Sequence, residues 1–195
     1  MLMTANILKD AFDRGMSYEA FVRSGEPEGH RPQWDERHAR LQLAPAQRAL
    51  VESFSREMNI LTCTGTWCGD CALQGASFAR IAEANPEKIR LRFIPRAEEF
   101  AELIVTNKIN AGFRVPVTWF MAEDFEPASR FGDRTLSRYR TMARKALGDS
   151  PEKSNVWSPP PADPVREVLQ EVLNECERVQ LLLRLSTRLR EKHGD

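Results

Sequence analysis

Asn59-Ile60-Leu61-Thr62-Cys63-Thr64-Gly65-Thr66-Trp67-Cys68-Gly69-Asp70-Cys71 is the stretch on which the fold turns. Asn59 to Thr64 is a short run rich in apolar and β-branched residues, ended by Gly65, which reads as a strand. After Cys71 the apolar residues Leu73, Phe78 and Ile81 fall at helical spacing until Asn85-Pro86 stops them. The two cysteines therefore lie where a strand hands over to a helix. A helix N-terminus offers free N–H groups and the positive end of a dipole, both of which favour a thiolate. Cys68, at the start, is the predicted nucleophile. Cys71 lies one turn on along the same face, placed to resolve a mixed disulfide. Trp67 would form an apolar rim for a docking polypeptide.

Outward from this centre, Ile89 to Ile94 alternates apolar and polar residues and predicts a second strand. Phe100, Leu103 and Ile104 mark a helix, and Val117 to Met121 is an apolar strand turning at Glu123-Asp124. Ser129 to Phe131 reads as a weaker edge strand, and Thr135 to Leu147 as a helix closed by Gly148. The order β-α-β-α-β-β-α implies a parallel pair joined through a helix, followed by an antiparallel hairpin. The expected class is α/β: a central mixed sheet flanked by helices over residues 59–148. Residues 1–58 form a helical extension. Thr4 and Ser17 are its first caps, Pro45 opens its last helix, and Leu50, Val51, Phe54 and Met58 lie on that helix's buried face. Residues 149–195 comprise a Pro-rich linker to 164, stiff rather than floppy, and one long helix from Val165 to beyond Leu183. At ~1.5 Å per residue that helix could reach roughly 40 Å, so it needs an extended partner. The N-terminal helices or a second copy would serve, and the latter predicts a homodimer.

Lys plus Arg and Asp plus Glu both total 28, which leaves no net field to gather nucleic acid or anionic lipid. No apolar run suits a signal segment or a membrane span, so the expected location is cytoplasmic. Thiols there are held reduced, and a close cysteine pair points to catalysis or metal rather than to a staple.

Thr66-Trp67-Cys68-Gly69-Asp70-Cys71 after an apolar strand resembles the thioredoxin superfamily, and a bacterial subgroup with Trp-Cys-Gly-Asp-Cys most of all. Gly112-Phe113-Arg114-Val115-Pro116-Val117-Thr118 resembles the same family's loop, in which a cis-proline opens an apolar strand. The resemblance covers residues 59–148 and implies a thioredoxin-like fold with a thiol–disulfide oxidoreductase activity of the protein-disulfide reductase type. It makes Cys68 and Cys71 catalytic. It places Trp67, Gly69, Asp70, Val115 and Pro116 at the substrate, with Pro116 cis against the cysteines and the Val115 backbone free to pair with an extended chain. Protein or small-molecule disulfides would be the substrates and an external dithiol the reductant. No cofactor is implied beyond a Cys68–Cys71 disulfide. Two positions depart from the family pattern. Asp70 replaces the usual proline and should raise the Cys68 pKa, giving a reducing poise that a pKa below ~5 would rule out. Thr62 stands where the family often carries a buried Asp, and a hydroxyl cannot accept a proton at neutral pH.

Other readings compete. Cys63, Cys68 and Cys71 have the C-x₄-C-x₂-C spacing of iron–sulfur proteins, with Cys176 as a candidate fourth ligand. Against this, Cys63 falls in a strand and Cys176 on an apolar stripe, so both read as buried packing. Cys63 as a second redox partner is the alternative. His30, His38 and His193 are scattered, with no role in metal or base chemistry expected and His193 in a frayed tail. Arg90, Arg92, Arg96 and Arg114 read as a solvated edge, although Arg114 could favour acidic peptides. A redox-inactive binding or assembly module is the reading from a different class.

Overall fold

The computed structural model describes residues 4–148 and 159–195. Its sheet holds β1 (Met58–Thr64), β2 (Ile89–Pro95), β3 (Val117–Met121) and β4 (Pro127–Gly132) in the order β2-β1-β3-β4. β1 pairs parallel with β2 and antiparallel with β3, and β3 pairs antiparallel with β4. The parallel pair and the hairpin are those the sequence predicts. Every residue of β1 is buried, because it is an inner strand covered on both faces. β4, at the edge, has no buried residue.

Strand alternation divides β1 between two layers. Ile60 stands opposite Phe120, whose ring meets Phe78 of α5 (Gly69–Ala84) at 5.8 Å. Ile60, Thr62 and Thr64 thus share the face covered by α5. Leu61 and Cys63 face the other way, in register with Trp119 and Val117. On that side Trp119 donates its indole N–H to Asn107, just past α6 (Ala101–Thr106). Phe12 of α1 (Ala5–Asp13) lies on the same side, beneath the guanidinium groups of Arg90 and Arg92.

The terminal segments complete the core. α2 (Tyr18–Ser24) and α3 (Arg31–Arg40) bring Phe21 and Trp34 onto Phe93 of β2. Trp34 also lies so close to α5 that a Cβ on Gly75 would come within 2.5 Å of its ring. Thr4 and Ser17 cap α1 and α2 as read. α4 (Pro45–Glu52) ends sooner than its periodicity predicts. Phe54 follows it in a loop, and Met58 begins β1 rather than lying on a helix face.

α7 (Leu136–Leu147) closes at Gly148, whose φ of 94° suits glycine. Residues 149–158 of the Pro-rich linker lie outside the described residues. The long C-terminal helix is two pieces, α8 (Pro164–Leu185) and α9 (Thr187–His193), divided at Ser186. α8 finds its partners within the chain, against α5, α7 and β4. Val168, Leu169, Val172, Leu173, Cys176, Val179 and Leu183 are all buried there. Glu171 accepts from the Ser137 amide at 3.0 Å and so caps α7, while Gln180 exchanges two hydrogen bonds with the Arg56 backbone. His193 is not frayed: it sits in α9 and pairs with Glu123 at 2.8 Å. No helix among the described residues is long and apolar enough to cross a membrane.

Candidate active site

Cys68 is the N-cap of α5, and its Sγ accepts the Cys71 backbone N–H at 3.3 Å. It is partly exposed, whereas Cys71 is fully buried behind it, and both thiols are free. This asymmetry separates their acidities. Cys68 is lowered from 9.0 to about 7, chiefly because the Cys71 thiol donates to it. Burial opposes that lowering, the Cys71 and Asp70 amides assist it, and the Asp70 charge works against it. Cys71 is pushed well above 9.0, first by burial and then by serving Cys68 as donor. One thiol is thus prepared to attack near neutral pH while the other holds its proton.

Asp70 is 9% exposed and directed at two arginines. Arg134 Nε and Arg138 Nε each donate to one of its oxygens at 2.6 Å. Arg134 also pairs with Asp133, which accepts from the Tyr139 hydroxyl. The residue in the usual proline position therefore ties the start of α5 to α7, with its charge compensated. An Asp70→Asn variant should lower the Cys68 midpoint below about 7, by up to about one pH unit. It removes a repelling carboxylate and leaves two cations unmatched, which act in the same direction. The pH dependence of Cys68 alkylation by iodoacetamide checks this, and an upward movement would contradict the assigned sign.

The N-terminal helices hold the loop that carries the nucleophile. Gln33 Nε2 and Trp34 Nε1 both donate to the Thr66 carbonyl, at 2.7 and 2.8 Å, and His30 Nδ1 shares a hydrogen bond of 3.0 Å with Thr66 Oγ1. Sequence reasoning missed all three, since none is near the cysteines in the chain. Gln33, Trp34 and His30 stand 33, 32 and 36 residues from Thr66, a separation at which sequence spacing carries no signal. Trp67 is 53% exposed, and Arg96 stacks over its ring at 5.2 Å while donating to the Phe113 carbonyl at 2.8 Å. Arg96 is exposed, as read, and its contacts place it beside Trp67 and Phe113. Arg114 is exposed and makes no ion pair among the described residues.

The Val115–Pro116 peptide is cis, immediately before β3. Val115 makes no backbone hydrogen bond among the described residues. Cys63 points to the sheet face away from Cys71, and burial raises its thiol to about 12. Cys176 is buried in α8. Among the described residues no three Cys, His, Asp or Glu side chains group as a metal ion would require.

A family model described as thioredoxin matches residues 15–145. The chain belongs to this thioredoxin family. The match begins within the N-terminal helical segment, so the family's pattern includes α2, α3 and α4 as well as the sheet. Among the solved structures that share the fold are the following two. A protein of unknown function from Pseudomonas aeruginosa is 19% identical with a TM-score of 0.64, over 92% of this chain and 97% of that one. An HIV epitope scaffold is also 19% identical, with a TM-score of 0.58, over 88% and 95% of the two chains. No curated protein matches. Within the thioredoxin fold, Thr62 occupies the position noted for a buried acid and pairs with Thr118 Oγ1 across the strands at 3.0 Å.

Proposed function

We propose that this thioredoxin-family chain is a thiol–disulfide oxidoreductase of the protein-disulfide reductase type, working through Cys68 and Cys71. One observation carries the reading. A partly exposed thiol at a helix N-cap, lowered to about 7, has a fully buried thiol one turn behind it. The Cys68 thiolate would attack a substrate disulfide sulfur and expel one substrate thiol. Cys71 would then attack the Cys68 sulfur, release the second substrate thiol and leave a Cys68–Cys71 disulfide. An external dithiol returns the pair to its reduced form, so the cysteines carry both electrons and no bound cofactor enters the cycle.

Substrates able to lie along Val115 in extended form suit this geometry, because that backbone makes no hydrogen bond among the described residues. Beside Trp67, Arg96, Ala101, Ile104, Val105 and Phe113 line a groove of about 500 Å³, room for an apolar side chain flanking the disulfide. The cytoplasm, where a dithiol donor is at hand, is the compartment such a cycle needs. A homodimer would use the exposed Leu181, Leu182 and Leu185 of α8, since its opposite stripe is already buried.

The experiment is an equilibrium redox titration read by Trp fluorescence and thiol counting. A reversible two-electron midpoint between about −200 and −300 mV is expected. If no Cys68–Cys71 disulfide forms anywhere in that range, exchange is not the function, and the exposed Trp67 and Phe113 rim becomes a binding surface instead.

A further inference from the structure

Thr64 is the last residue of β1 and is fully buried. Among the described residues its Oγ1 has no hydrogen-bond partner of good geometry. A hydroxyl carries one donor and two acceptor sites, and leaving them all unused in a dry interior is unfavourable. Alternation along β1 directs Thr64 to the α5 face, as it does Thr62. There, below the helix that begins at the cysteines, its hydroxyl is one of the groups that favour the charged form of the buried Cys71 sulfur. Thr62, one pair earlier, is already engaged by Thr118 and is not available for this. The Thr64 backbone is fixed as well, because its carbonyl accepts from the Arg96 amide at 3.0 Å.

We propose that Thr64 is a positioning residue for the resolving step, its hydroxyl donating a hydrogen bond to Cys71 Sγ as negative charge develops there. The inference rests on the exchange reading above and concerns its second half only. In that half-reaction the Cys71 sulfur bonds to the Cys68 sulfur and the bond from Cys68 to the substrate sulfur breaks. The proton leaving Cys71 passes to the departing thiolate when that thiolate is basic, and to water when it is an aromatic thiolate. Thr64 keeps its own proton throughout. It stabilises charge where Thr62 cannot accept a proton, and a hydrogen bond unmade in the resting thiol is gained only as Cys71 ionises.

The test is single-turnover reaction of the reduced protein with the aromatic disulfide 5,5′-dithiobis(2-nitrobenzoate). It releases one coloured thiolate when Cys68 attacks and a second when Cys71 resolves. Thr64→Val keeps the side chain's shape and removes the hydroxyl, whereas Thr64→Ser keeps the hydroxyl. The first release should be the same in all three proteins. The second should slow about tenfold or more in Thr64→Val, as expected for losing a hydrogen bond to a charged group, with its pH profile displaced upward. In Thr64→Ser it should return to near the wild-type rate. A second phase in Thr64→Val with wild-type rate and pH profile overturns the proposal. So does a slow second phase that Thr64→Ser fails to restore, since lost packing would then be the cause. Absence of even the first release from wild type would refute the exchange reading itself.

Discussion

Replacing Cys68 with serine is expected to reduce disulfide turnover to the uncatalysed background. A serine hydroxyl ionises far above neutral pH, so the helix N-cap and the Cys71 amide have no accessible anion to stabilise. Cys71 cannot take over the attack, because it is fully buried and its pKa is pushed well above 9.0. Cys71→Ser should behave differently: Cys68 still attacks, but the mixed disulfide with substrate persists and can be isolated on a non-reducing gel. Turnover of a peptide disulfide with a dithiol donor, followed by mass spectrometry of both variants, checks the pair. Substantial activity in Cys68→Ser would remove this cysteine from the role of nucleophile.

The second large effect is expected at Trp34, far from the cysteines in sequence. Its ring is fully buried against Phe21, Phe93, Tyr18 and Gly75, and its indole N–H holds the Thr66 carbonyl. Trp34→Ala would remove the packing and one of the bonds that fix the loop ahead of Cys68. A loss of about 3–5 kcal/mol is the usual cost of such a truncation, a fall in Tm on the order of 10 °C for a chain of this size. Trp34→Phe retains much of the ring contact and leaves Gln33 still donating to Thr66, so it should cost only ~1 kcal/mol. Thermal unfolding followed by circular dichroism measures both. If Trp34→Ala melts with wild type, the N-terminal helices do not brace the active-site loop as their hydrogen bonds indicate.

Much of the sheet was legible because its signals are local. β1, β2 and β3 announce themselves by β-branched and alternating residues, and the order of elements limits their pairing to a parallel pair and a hairpin. Met58 belongs to β1 and not to the preceding helix, a distinction periodicity does not make, because an apolar residue six positions after a helix fits either a helical face or a strand start. Only the pairing with Ile89 decides between them. Apolar spacing that continues past Leu183 predicts one C-terminal rod, yet Ser186 divides it where the chain turns to bring Asp195 to Arg56. The histidines are scattered along the chain, and the proximity of His30 to Thr66 or of His193 to Glu123 is not visible in their spacing.

The α/β class, the strand-to-helix placement of Cys68 and Cys71 and the place of Pro116 at the head of a strand are all legible in the order of residues, since each depends on neighbours within a few positions. The surroundings that set the chemistry arise only when distant parts of the chain are folded together. Asp70 reads as a bare charge beside the nucleophile until Arg134 and Arg138 arrive from more than sixty positions away to compensate it. Cys63 reads as a third thiol close to the pair until sheet alternation and the α5 packing put it on the opposite face. Electrostatic compensation and burial depend on what the folded chain brings within a few ångströms, and spacing along the sequence carries no record of that.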